Sequence, residues 1–391
     1  MATKKQLGQF FTVNSDAVLA NLGKYVKGKN IVDPFVGSGE LLRWAKQKSA
    51  KSVQGFDIDQ QWVKGKIIRQ RDSINNPGTY NFVLTNPPYL NINKADSETK
   101  KKFFFDKRFE DLYHYSLNAI LKSDEGIVIV PVNFLSAENS KKIRALFFAK
   151  FTIPEMNYFK YQVFPDTTYN VIAFYYRKKK NVWANECAVK THIYPNNEIV
   201  DIKIEQAFDW SIGGADLHAL EMQGNVLGVR RLMESDIRSG TRNIKAAFNH
   251  VKDKKDIAIS EDLYQTIRSN ILLLKAIDSG SEEGKLALDN IRNYGVECLV
   301  SKESSRHMIY LLFENQHVSI EEQEQIKDLF NKEIERLRKK HLSLFLTNYR
   351  DKDRKRISFD FAYKLINHIY FTKIHRLPVG TLFTSHAESV G

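Results

Sequence analysis

Short apolar runs alternate with stretches of helical spacing through the first half of the chain. Asn30 to Pro34 predicts a buried strand ending in an acid, and Gly37 to Lys48 a helix behind it. Ser52 to Asp57 predicts a second strand ending in an acid, with another helix from about Gln60. Asn81 to Thr85, Gly126 to Val132 and Val171 to Tyr176 predict three more strands. Strands that alternate with helices build a parallel α/β sheet. Ligands of such sheets bind beyond the carboxyl ends of the strands. Asp33, Asp57 and the run Asn86-Pro87-Pro88-Tyr89 all stand at predicted strand ends.

The pattern changes after the basic run Arg177 to Lys180. Beyond it the spacing is irregular, with scattered glycines and a few helical stretches. Ile320 to Lys340 has helical periodicity, with Ile326, Phe330, Ile334 and Leu337 on one face. The expected organisation is an α/β domain over residues 1–180 and a second, mixed α/β domain over 181–391. A length of 391 residues suits two domains. No internal repeat or low-complexity tract is visible.

Composition adds a partner class. Hydrophobic residues make up 42% and charged residues 27%, which excludes a disordered or fibrous chain. A net charge of +13 on an aromatic-rich chain points to a polyanion. Cys187 and Cys298 are the only cysteines, too few for a disulfide framework or a cysteine-rich zinc site. The polar start at Met1 to Gly8 and the lack of a long apolar run predict a cytoplasmic protein without a membrane span.

Asp33-Pro34-Phe35-Val36-Gly37-Ser38-Gly39-Glu40 is an acid at a strand end, a glycine-containing turn and a helix start. Gly37 and Gly39 allow close backbone approach. The turn lacks both the GxGxxG spacing of a dinucleotide site and the lysine of a P-loop. It therefore suits a cofactor without phosphates, or else a plain strand-to-helix turn. A carboxylate at Asp57 can accept both ribose hydroxyls of an adenosine, with Ile58 packed on the purine. Asp59 reads as a helix cap. Asp72 can accept from an adenine amine, though an aspartate in a charged stretch is often only solvated.

Asn86-Pro87-Pro88-Tyr89 is the sharpest signal. Two prolines fix the backbone after a strand. The Asn86 amide oxygen and the Pro87 carbonyl become two preorganised acceptors. Both can converge on one NH2 group, draw its lone pair out of ring conjugation and make the nitrogen more nucleophilic. Orientation and electrostatics then supply the catalysis without a strong base. Tyr89 offers a face on which a planar base can stack.

On these motifs, residues 1–180 resemble the N6-adenine DNA methyltransferases of the gamma order, in which the cofactor motif precedes the catalytic motif and the target-recognition domain comes last. The resemblance implies a Rossmann-like α/β sheet binding S-adenosyl-L-methionine, followed by a mixed α/β target-recognition domain. Gly8 to Thr12 looks like the motif closing over the methionine end, which implies roles for Phe11 and Thr12. Asp33, Phe35 and Gly37 match the first cofactor motif, Asp57 and Ile58 the ribose and purine contacts, and Asp72 the acid near the adenine amine. Asn86 is placed against both cofactor and target. Val163-Phe164-Pro165 resembles the late motif, so a flipped adenine is expected between Tyr89 and Phe164, with Tyr169 as the fallback. The family varies widely at Phe35.

Double-stranded DNA is the expected partner, and a cognate restriction endonuclease acting independently is implied by the family. A single chain holding both halves is expected to work as a monomer. Lys100 to Arg108 mixes basic and aromatic residues, as in a loop that orders on DNA or a helix with an apolar face. Between Arg336 and Arg356 nine Lys or Arg stand against two Asp. Such density fits phosphate contacts, or solvated helix ends. Arg350, Arg354, Lys355 and Arg356 are the candidates there, and Arg242 in the Arg238–Asn243 segment is another. Other NH2 acceptors remain open: N4 of cytosine, RNA adenine and a protein glutamine. So does a binder that has lost its chemistry.

Overall fold

The computed structural model describes residues 14–63, 65–164, 170–278, 285–348 and 354–377. The chain forms two compact units. The first is Met1–Gly214 with Thr347–Asp353, and the second is Ala215–Leu346 with Arg354–Gly391.

The first unit is built on a nine-stranded sheet. Its strands are β1 (Asn30–Asp33), β2 (Ser52–Asp57), β3 (Ile68–Gln70), β4 (Tyr80–Thr85), β5 (Ser123–Pro131), β6 (Phe151–Phe159), β7 (Val171–Lys178), β8 (Glu186–Tyr194) and β9 (Glu198–Glu205). Their order is β3-β2-β1-β4-β5-β7-β6-β8-β9. The first five are parallel, β7 runs antiparallel to both β5 and β6, and β9 runs antiparallel to β8. This is the expected Rossmann-like α/β sheet, with all five predicted strands in it. The helix expected from Gln60 is only a 3-10 turn, Gln60–Trp62, capped by Asp59.

The sheet does not stop at residue 180. β8 pairs in parallel with β6, and β9 pairs with β8, so the division falls after Gly214. Cys187, Val189, Thr191 and Ile193 alternate into the core along β8.

Five helices of the first unit are α1 (Ser15–Val18), α2 (Glu40–Gln47), α3 (Ser97–Phe103), α4 (Leu112–Ala119) and α5 (Lys141–Phe148). On α2, Leu41, Leu42, Trp44 and Ala45 are buried, the spacing of one helix face. Phe147 of α5 and the rings of Phe134, Phe151, Phe174 and Tyr176 interlock at centroid distances of 4.8–6.4 Å. Each fully buried ring contributes about 2–3 kcal/mol by removal from water.

The second unit has a sheet ordered β10 (Val229–Arg231), β17 (Met308–Phe313), β13 (Leu272–Lys275), β15 (Ala287–Asn290). A three-stranded sheet joins β12 (His250–Ile259), β11 (Arg242–Phe248) and β16 (Cys298–Val300), and β14 (Ile277–Asp278) pairs with Lys355–Arg356. Its helices are α6 (Gly214–Glu221), which begins at the boundary, α7 (Glu261–Arg268), α8 (Ile320–His341) and α9 (Phe359–His368). Side-chain alternation splits the core in two. Leu272, Leu274, Ile309 and Leu311 face α8 and α9, whereas Leu273, Tyr310 and Leu312 face β11, β16 and Ile267. Ile326, Phe330, Ile334 and Leu337 are the buried stripe of α8, as their spacing predicts. Ser319 and Glu322 cap its start reciprocally.

Candidate active site

One cleft opens at the carboxyl ends of β1, β2 and β4, within the first unit. Asp33, Phe35, Gly37, Asp57, Ile58, Asp72, Asn86 and Pro88 all line it. The space within it, open solvent at the mouth included, is about 830 Å³. Two glycines shape the wall. Gly39 has φ +81°, a left-handed conformation that side chains resist, where α2 begins. A Cβ on Gly55 would lie 2.7 Å from Val36, so only glycine lets the turn after β1 lie on β2.

Asp33 is buried at the end of β1. Its Oδ1 accepts from the Thr85 hydroxyl at 2.6 Å and from the Phe35 N–H at 3.0 Å. Burial pushes its carboxyl up to about 7, although those two donors pull the other way. Asp57 is also buried, and burial raises it too. Its Oδ2 accepts from Gly37 N–H and its Oδ1 from Asp59 N–H, both at 2.8 Å. The carboxylate therefore ties the β1 turn to the end of β2.

Asp72 closes a turn. Its Oδ1 accepts from Ile74 and Asn75 N–H, and its Oδ2 from the Asn75 amide at 2.9 Å. Beside it, Ser73 lines the same cleft. The Ser73 hydroxyl is buried and has no hydrogen-bond partner among the described residues. The sequence reading passed over Ser73, since a lone serine in a polar turn carries no signal of its own.

Asn86 and Pro88 face the cleft, but Tyr89 and Pro87 are not among its lining residues. Tyr89 is 6% exposed, packed edge-on against Tyr113 with ring centroids 6.1 Å apart. Its hydroxyl lies 2.5 Å from the Asn86 amide oxygen and donates to the Ile129 carbonyl at 2.9 Å. Phe164 is 1% exposed and also lies outside the lining. The expected sandwich of a base between Tyr89 and Phe164 is thus not open here, because both rings are covered. Gly8, Phe11, Thr12, Pro165, Tyr169 and Arg350 lie outside the described residues.

Residues 20–164 match the model of the Eco57I restriction-modification methylase family. The matched segment holds Asp33, Asp57, Asp72 and the whole Asn86–Tyr89 run, so the resemblance to a restriction-modification methylase is borne out there. Solved structures similar to the chain include a type I restriction-modification methyltransferase subunit from Streptococcus thermophilus, at 16% identity over 49% of this chain and 50% of that one, TM-score 0.34. The type I M protein of EcoKI matches at 12% identity over 42% and 44%, TM-score 0.31. The type IIG restriction endonuclease BpuSI matches at 10% identity over 92% of this chain and 58% of that one, TM-score 0.45. The chain spans about half the length of the two type I subunits. No curated protein matches the sequence.

Outside the matched segment the basic residues divide into two groups. In α8 the expected phosphate-facing cations are already paired. Arg336 and Lys340 reach Asp216, with His341 beside them at 2.6 Å, and Lys339 pairs with Glu335 at 2.6 Å. Arg338 makes two bonds to the buried Asp278, at 2.8 and 3.1 Å. Acids elsewhere in the second unit neutralise this part of the run, which corrects its reading as an open basic face. Arg242 pairs with Glu261 at 2.7 Å and lies over the Tyr264 ring at 4.4 Å. Arg354 is exposed, and Lys355 and Arg356 are half-buried on the strand paired with β14. No helix among the described residues is long and apolar enough to cross a membrane.

Proposed function

We propose that this chain is an S-adenosylmethionine-dependent DNA methyltransferase acting on the N6 amine of an adenine turned out of the duplex. One observation carries the reading. The acids at the ends of β1 and β2, with Asn86 and Pro88 from the turn after β4, converge on a single cleft, in a segment that matches a restriction-modification methylase.

The residues present fit S-adenosylmethionine, which would supply an electrophilic methyl group. A carboxylate has about four lone-pair sites, and Asp57 spends few of them on backbone N–H groups. Capacity remains for a ribose diol. The orphaned Ser73 hydroxyl is a buried polar group of the kind a bound ligand satisfies. Ile58, also on the wall, offers an apolar face to a purine. Around Asn86, its amide oxygen and the Pro87 carbonyl accept the two hydrogens of the target amine. That draws the nitrogen toward a tetrahedral, nucleophilic geometry. The amine is paired inside a duplex, so the adenine must leave the stack to reach them.

The second unit reads the target, with Arg354, Lys355 and Arg356 on phosphates. A cognate endonuclease would be blocked by the mark. The test is Asn86→Ala. It should lose methyl transfer to DNA while binding S-adenosylmethionine as the wild type does in calorimetry. Full transfer by the variant would overturn the reading.

A further inference from the structure

The segment Lys100 to Arg108 carries three consecutive phenylalanines, and the fold treats them differently. Helix α3 is capped by Asp96, whose Oδ1 accepts from Thr99 N–H at 2.7 Å. Phe103, at its end, lines the cleft. Phe104 turns inward, edge-on to Tyr115 at 5.4 Å, and Phe109 packs on the same ring at 5.1 Å. Asp106 accepts from the Tyr115 hydroxyl at 2.6 Å. Both flanks of the turn are therefore pinned to one buried tyrosine. Between them Phe105 is 68% exposed.

A single exposed apolar side chain is ordinary. Its setting is not. Its neighbours in sequence Lys100, Lys101, Lys102, Lys107 and Arg108 are all exposed, with Arg108 paired to Asp106 at 3.5 Å. The chain allows its Cα to lie at most about 7.6 Å from that of Phe103 on the cleft wall. An exposed ring pinned at both flanks, with exposed cations on either side of it in sequence and beside the cleft, suits a polyanion that contains stacked bases. It suits a protein contact less well, since protein interfaces deplete lysine.

We propose that Phe105 is the wedge that enters the duplex as the target base leaves it. The inference rests on the reading of the chain as a methyltransferase acting on a base in duplex DNA. An apolar ring inserted at a base step replaces part of the stacking that extrusion removes. The neighbouring lysines hold the phosphates on either side. Phe105 touches no reacting atom, so its role is to position the base.

The experiment begins with wild-type enzyme on unmethylated genomic DNA, which maps the modified adenine. A short duplex of that site, with 2-aminopurine at the target, then reports extrusion by its fluorescence. Wild type and Phe105→Trp should raise the fluorescence, and Phe105→Ala should not. Methylation of the paired duplex by Phe105→Ala should fall by about 10-fold or more, and return to near wild-type rate when the base opposite the target is abasic, since extrusion then costs less. S-adenosylmethionine binding should be unchanged, which excludes misfolding. Undiminished extrusion by Phe105→Ala, or a loss that the abasic duplex does not relieve, would overturn the wedge. Wild type that leaves duplex DNA unmethylated would instead sink the underlying reading.

Discussion

The Tyr89 hydroxyl stands 2.5 Å from the Asn86 amide oxygen and 2.9 Å from the Ile129 carbonyl oxygen. One hydroxyl proton can serve only one of these acceptors at a time. In the proposed reaction the Asn86 oxygen is also an acceptor for the target amine. On that proposal Tyr89 would hold the amide in place until the amine arrives, then turn its proton to Ile129. Tyr89→Phe keeps the ring against Tyr113 and removes the hold. A hydrogen bond of about 1 kcal/mol corresponds to a fall of roughly 5-fold in the single-turnover rate. Cofactor affinity should not change. An unaltered rate would show that the contact is structural only.

Asp33 links stability to pH. Its folded carboxyl lies at about 7, above the ordinary value of 3.8. Between those values the native state binds more protons than the unfolded chain, so this group makes stability fall as pH rises. Below about pH 4 and above about pH 7 its contribution is flat. Asp33→Asn keeps an acceptor for Thr85 and Phe35 but cannot ionise. Unfolding free energies from urea titrations at pH 5 and pH 8 should differ less in the variant, by roughly 1–4 kcal/mol. An identical pH dependence in both proteins would count against the buried, raised carboxyl.

Ser73 and Asp57 separate binding from folding. Ser73→Ala removes a hydroxyl that bonds nothing among the described residues. Stability should hold, and S-adenosylmethionine affinity should drop by about 3–10-fold. Asp57→Ala also frees the Gly37 and Asp59 N–H groups, so it should lower both affinity and melting temperature. Calorimetric titration and thermal melts of the two variants decide this. Equal binding by Ser73→Ala would place the ligand away from that wall.

Arg338 is a structural cation. It and Asp278 are 13% and 6% exposed in their side chains. Removing one partner of a buried pair costs about 3–5 kcal/mol. Arg338→Ala should therefore destabilise the protein in urea by about that much. Arg354→Ala should leave stability alone and flatten the salt dependence of DNA binding by about one unit of slope. If Arg338→Ala is as stable as wild type, the Asp278 contact is not what holds α8 there.

The first strands were legible because apolar runs end in acids beside glycines, and Asp33, Asp57 and Asn86 then fall where a sheet puts its ligands. β8 also carried a signal. Cys187, Val189, Thr191 and Ile193 alternate in period two, but the basic run before them suggested a boundary. The burial of Tyr89 and Phe164 was not legible, since the exposure of an aromatic ring is decided by what packs on it. Nor was the neutralisation of α8, because Asp216 stands far from Arg336 and Lys340 in sequence and meets them only in the fold. Ser73 became visible only once its hydroxyl was found buried on a cleft wall.

The most direct test supplies labelled S-adenosylmethionine and unmethylated genomic DNA to the purified chain, then separates the product nucleosides. The account predicts label in N6-methyladenine, absent with Asn86→Ala. Label in N4-methylcytosine, or none in DNA while the cofactor still binds, would contradict it.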